Sequence, residues 1–302
     1  LVGKCSNINF ENAQITANQK LTGVLAGHVG NASAAGVVEN VRVSGTINLT
    51  SGTGPTAWEN GQAGGICGRI QGAESKIYQC SSEMSINATW SAGGICGEAK
   101  GGATITQCYF VGDIITKSCV GGIVSRMFQG TVTHCYSSGV AKSYPNVTPP
   151  NPGAGIAGLV EPSPTALISH CYSECEIAAQ NQVGGILGLA NKGTGVTVTR
   201  CVAWNSSSNG APKSGRVCGR FDKNEANNCY AYPNMECRFS ANTPAIVDEV
   251  VPNYSATVNG ADRYNGLSTI PTLMAAVKAL QWDESIWDLS GEKPRLVWEL
   301  AQ

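Results

Sequence analysis

The stretch Gly64-Gly-Ile-Cys-Gly68, followed by Ile77-Tyr-Gln-Cys80, decides how this chain folds, because both parts return as Gly93-Gly-Ile-Cys-Gly97 and Ile105-Thr-Gln-Cys108. Working outward, the first anchor recurs as Gly23-Val-Leu-Ala-Gly27, Gly121-Gly-Ile-Val-Ser125, Ala154-Gly-Ile-Ala-Gly158, Gly184-Gly-Ile-Leu-Gly188 and Gly215-Arg-Val-Cys-Gly219. Its central apolar residue (Leu25, Ile66, Ile95, Ile123, Ile156, Ile186, Val217) advances by 41, 29, 28, 33, 30 and 31 residues. The second anchor recurs as Val132-Thr-His-Cys135, Ile168-Ser-His-Cys171, Val198-Thr-Arg-Cys201 and a degenerate Ala226-Asn-Asn-Cys229. Its cysteines step by 28, 27, 36, 30 and 28. Two anchors keeping step at a period near 30 make this a repeat protein.

Local chemistry selects the kind of repeat. Six residues beyond the cysteine stand Ile86, Ile114, Ala141 and Ile177. That even offset keeps both ends on one face of a strand. The Ile-x-x-Cys step is odd, so the chain must bend or bulge there if both residues face the core. Thr, Val, Ile and Tyr dominate these runs, and no 3.6-residue apolar period appears, which excludes helical repeats. Short strands joined at glycines, one superhelical turn per repeat, predict an all-β parallel β-helix (β-solenoid) of about seven to eight coils. Successive coils would stack at about 4.8 Å.

Composition agrees. Glycine is 37 of 302 residues, about 12%, against roughly 7% on average, and charged residues are only 14%. The hydrophobic fraction of 42% argues against disorder. A formal net charge of −1 offers no field for nucleic acid or an acidic membrane. No run of 18 apolar residues exists to span a bilayer. The chain opens at Leu1-Val-Gly-Lys without a charged and apolar leader, so any signal peptide or anchor is expected outside this stretch.

These anchors resemble the GLUG-motif repeat family, with its Gly-Gly-Ile/Leu-x-Gly core followed by a Thr-Ile-x-x-Cys-Tyr strand. The resemblance covers roughly residues 20–235 in about seven copies. It departs at Ser125, at Gly215-Arg-Val-Cys-Gly219 and at Asn40-Val41, which stands in place of x-Cys. The resemblance implies an exported or surface bacterial protein, adhesin-like, and such repeats also occur beside zinc peptidases that cleave immunoglobulin A. It implies a stalk or binding module and names no ligand.

Residues 1–239 therefore read as the solenoid, with 1–20 (Cys5, Ile8, Phe10, Ile15) a partial first coil. Residues 240–302 read as a small α+β C-terminal cap. Within it, Ser268–Leu280 carries a helical apolar face of Ile270, Leu273, Met274, Val277 and Leu280, with Ser268 or Thr269 as cap and Pro271 in the first turn. Lys293–Trp298 reads as a last strand, and Trp282, Trp287 and Trp298 are expected to seal the solenoid's end.

Several motifs have a plainer reading. Gly153-Ala-Gly-Ile-Ala-Gly158 matches Gly-x-Gly-x-x-Gly but lacks the strand before and helix after that nucleotide binding needs. The thirteen cysteines contain no Cys-x-x-Cys pair. Stacked in register their Cβ atoms would lie too far apart to bridge, so buried free thiols are expected. Off-ladder Cys119 and Cys237 are the better candidates for a disulfide. His134 and His170 share one repeat position without a third ligand, a polar ladder rather than a metal site; His28 stands alone. Polysaccharide-cleaving β-helices need clustered carboxylates, whereas Asp113, Asp222, Glu74, Glu83, Glu98, Glu174 and Glu176 do not recur at one coil position. No His-Glu-x-x-His occurs. No catalytic residue, metal, cofactor, nucleotide or nucleic acid is therefore expected.

Binding would reside in the long insertions. Thr50–Asn60 and Lys142–Pro152 both precede a glycine core and should project from one side of the stack. Trp58, Trp90 and Tyr144 there are the candidate ligand-binding residues, suited to stacking on a sugar ring or a protein partner. The expected function is non-enzymatic, an extracellular or cell-surface module for adhesion to a host glycan or surface protein. A structural spacer and a polysaccharide-degrading enzyme are the alternatives.

Overall fold

The structure, a computed structural model, describes residues 1–18, 20–50, 61–144, 151–161, 165–191, 195–210, 213–221, 225–239, 247–249, 257–258, 261–262, 266–267 and 270–301. It is a three-faced parallel β-solenoid. Each coil begins on a long face, with strands Gly3–Ala17, Gly36–Leu49, then paired pieces such as Lys76–Tyr78 and Ser81–Ala88. It crosses a first short face (Gln62–Gly64, Ser91–Gly93) and returns along a second (Cys67–Gln71, Cys96–Lys100). Each short face has seven strands, and the long face continues into an eighth coil at Glu225–Asn227 and Tyr230–Ala231.

Coils stack in parallel register. Ile77 pairs with Ile105, then Val132, Ile168 and Val198, and Ile86 pairs with Ile114, Ala141 and Ile177. The glycine cores form the corner between the short faces, and Ile66, Ile95, Ile123, Ile156, Ile186 and Val217 fill the interior there. The odd Ile-x-x-Cys step is met by one left-handed residue per coil. Asn7, Asn40, Gln79, Gln107, His134, His170, Arg200 and Asn228 all have φ between +48° and +59°. That single residue turns the strand over, so Ile77 and Cys80 are both buried.

All thirteen cysteines are free. Cys119 and Cys237, the expected bridge candidates, are buried thiols, and Cys119 Sγ donates to the Ser125 carbonyl at 3.0 Å. Cys67 and Cys96 sit in register with their Sγ atoms 3.6 Å apart. Burial pushes the Cys119 thiol up to about 12 and the Cys175 thiol up to about 11.

The C-terminal segment departs most from expectation: its tryptophans lie along the flank of the stack. Tyr109, Tyr136 and Tyr172 form an outward ladder on the long face, with ring centroids 5.0 and 4.9 Å apart. Helix Leu273–Ala279 and the hairpin Trp287–Asp288/Arg295–Leu296 cover it, with Trp287 fully buried against Tyr136 and Tyr172. The helix is capped by Thr272, whose hydroxyl accepts the Ala275 amide, so Pro271 precedes the cap; Ser268 and Thr269 lie outside the described residues. Of Lys293–Trp298, expected as a last strand, Arg295–Leu296 is one, whereas Val297 and Trp298 begin a 3-10 helix that runs to Ala301. At the stack's C-terminal end, Val247–Glu249 pairs antiparallel with Glu236–Phe239.

Candidate functional site: a corner groove on coils two to five

The long face turns into the first short face at Asn48-Leu49-Thr50, Asn87-Ala88-Thr89 and Ile115-Thr116-Lys117, with Tyr144 reached on the next coil. These residues line a groove of about 250 Å³. Strand register places Asn48 beside Asn87 and then Ile115, and Leu49 beside Ala88 and Thr116. The alternation of a β-strand therefore gives the groove an outer row of amides and an inner, buried floor of Leu49 and Ala88. Asn87 Nδ2 donates to Asn48 Oδ1 at 3.4 Å, and Thr50 Oγ1 donates to the Ala17 carbonyl at 3.1 Å. Tyr144 is 56% exposed, yet its amide is held by the Thr116 carbonyl at 2.9 Å. A large aromatic face is thus presented from a fixed backbone.

Of the two candidate residues among those described, the structure brings Tyr144 to the groove. Trp90 closes into its corner at 6% exposure, its carbonyl accepting from the Ser118 amide of the next coil, so it offers little surface to a ligand. Trp58 lies outside the described residues. Thr50 and Tyr144, which border the two insertions, line the same groove. Asn48 and Asn87 were legible in the sequence only as repeated Asn-x-Thr tripeptides; the spacing of 39 residues, one coil with an insertion, was the available signal.

A second polar constellation lies on the outer side of the second short face. His28, Arg69, Glu98 and Arg126 occupy one row, three residues beyond the central apolar residue of each core. Glu98 accepts from Arg69 at 2.7 Å, and Arg126 pairs with Glu161. Searching for one residue type per coil position misses this row, because its charges alternate in sign. Ion pairs join its charged members, which suits joining of coils, while His28 Nε2 is buried without a hydrogen-bond partner among the described residues. Burial, with Arg69 nearby, lowers the His28 pKa.

The two histidines read as a polar ladder stack face to face at 4.8 Å, and Trp282 tilts over His170 at 6.3 Å. Desolvation and the neighbouring ring push His134 down to about 4, and desolvation lowers His170. Among the described residues no cluster of three His, Cys, Asp or Glu is arranged to hold a metal ion.

No family model and no curated protein matches the chain, so the GLUG resemblance rests on the motifs alone. Among solved structures, the chain is similar to a Bacteroides ovatus protein described as a candidate immunoglobulin A1 protease, with a TM-score of 0.56 and 17% identity. The match covers 89% of this chain and 76% of that one. A second chain, described as an IgA1 protease, matches at a TM-score of 0.46 and 16% identity, over 66% of this chain and 15% of its own length. The first of these likenesses shows a shared fold: the stacked-coil architecture extends across most of the chain.

Proposed function

We propose that this chain is a non-catalytic binding module of an exported or cell-surface bacterial protein, and that its corner groove holds a host glycan or surface protein. The observation that carries the reading is Tyr144, an exposed ring on a fixed backbone in the groove whose other end is lined by the Asn48 and Asn87 amides. An aromatic face packs on the C–H side of one sugar ring while amides two and three strands away take hydroxyls farther along an oligosaccharide. No groove-lining residue among those described is a carboxylate, histidine or thiol, which favours binding over bond cleavage there. The description of the Bacteroides ovatus neighbour fits a chain that works outside the cell.

The test is a glycan and host-protein array with wild type and Tyr144→Ala. We expect a saccharide hit weakened about tenfold or more by the substitution, the loss of one well-placed aromatic contact. A wild-type protein silent on every probe at high concentration would leave the spacer reading, which the uninterrupted coil stack and its flank-spanning C-terminal segment also suit.

A further inference from the structure

Resting on the groove reading above, we infer that its ligand is an acidic saccharide, a carboxylated sugar whose charge is met by Lys117. Three observations converge on this ligand. Lys117 lines the groove with its side chain exposed, and it has no ion pair among the described residues. Among the described residues, none that lines the groove is acidic. Lys142, in register with Ile115, is committed to Glu176 at 2.8 Å.

The surrounding carboxylates do not neutralise the site. Asp113 and Glu176 belong to the next outward row, aligned through Val140, and Glu176 already holds Lys142. A ligand carboxylate at Lys117 would meet an ammonium with no competing partner among the described residues, a charge-assisted contact stronger than a neutral hydrogen bond.

The amides add orientation. Because Asn87 donates to Asn48 Oδ1, Asn48 is left presenting its own NH₂ and Asn87 its side-chain oxygen. One donor and one acceptor side by side match neighbouring hydroxyls of a sugar. Leu49 and Ala88 floor the groove, and Tyr144 closes its far end. The sugar would lie along the stack, with the ring on Tyr144 and the carboxylate at Lys117 on the adjoining coil.

The experiment is calorimetric titration with matched pairs of equal length, oligogalacturonate against galacto-oligosaccharide and sialyllactose against lactose. It uses wild type, Lys117→Gln and Tyr144→Ala, with thermal melts confirming that each variant folds. At low salt at least one acidic member should bind about tenfold tighter than its neutral partner. Lys117→Gln should remove that advantage and its salt dependence while leaving neutral binding unchanged. Equal affinity for acidic and neutral members, insensitive to Lys117→Gln but lost in Tyr144→Ala, would overturn the acidic ligand and leave the binding module standing. Absence of saccharide binding in every protein would overturn the acidic ligand, and the binding module itself falls only if the glycan and host-protein array is silent as well.

Discussion

Gly94 has no room for a methyl group. A Cβ there would overlap Phe110 Cγ and the Gly122 carbonyl oxygen of the next coil, and at Gly122 the clash would be with Ser137 and the Gly155 carbonyl. None of Gly64, Gly65, Gly93, Gly94, Gly121 or Gly122 has positive φ. The core glycines are required by close approach of backbone between coils, not by a turn conformation that other residues resist. Gly94→Ala should therefore cost about 1–3 kcal/mol, since the opposing carbonyl oxygen is backbone and cannot rotate aside. Urea unfolding checks this, with Ala92→Gly as a comparison that adds no atoms. The left-handed residues carry the opposite lesson. Asn tolerates that conformation, but Gln, His and Arg pay about 1–2 kcal/mol for it, held in place by the ladders on either side.

At the scale of the element, the C-terminal segment acts as a clasp. The left-handed residues turn their carbonyls out, and two of these are taken by indoles: Trp282 Nε1 donates to Arg200 at 3.0 Å and Trp298 Nε1 to Gln107 at 2.9 Å. Tyr172 donates to the Pro294 carbonyl at 2.8 Å and Tyr136 to Glu299 at 3.0 Å. The clasp also shelters the histidine pair, giving a pH dependence with a definite sign. A histidine whose folded pKa is depressed leaves stability intact above its ordinary value near 6.5. That stability is lost as pH falls toward about 4, because the unfolded chain takes up protons that the folded one refuses. Desolvated Glu299, whose pKa is raised, works the other way just above 4.5. Only a comparison of variants isolates the histidines. Between pH 7.5 and 4.5 the wild type should lose about 2–4 °C more in Tm than His134→Gln/His170→Gln, glutamine being the residue that Gln79 and Gln107 supply in the same row.

For the whole molecule, stacking makes coils separable while the clasp makes some of them indispensable. Deleting residues 67–95 joins Ile66 to Cys96, removes one coil and leaves Gln107 through Arg200 untouched. That protein should fold with the clasp docked, although its groove loses Asn87. Deleting 124–156 joins Ile123 to Ala157, removes His134 and Tyr136, and shortens the Gln107–Arg200 span by about 4.8 Å. Trp282 and Trp298 can then no longer both reach their carbonyls. We expect near-native tryptophan emission and near-UV circular dichroism from the first protein, and red-shifted emission from the second. Identical spectra would show that the clasp does not measure coil number.

The solenoid, its period and the inward ladders are legible in the order of the amino acids, because stacking identical turns demands the same side-chain size at the same coil position. The bend at each left-handed residue was legible too, from the odd step between Ile77 and Cys80. Tertiary structure alone decided that the tryptophans cover the tyrosine ladder on the flank, since Tyr109 and Trp298 stand 189 residues apart and share no period. It also decided that Trp90 is buried while Tyr144 faces outward: both stand where a coil turns a corner, and only the packing of neighbouring coils distinguishes them. The groove was half legible for the same reason. Its amides repeat along the chain, whereas Lys117 and Tyr144 each occur once and meet only because coils stack.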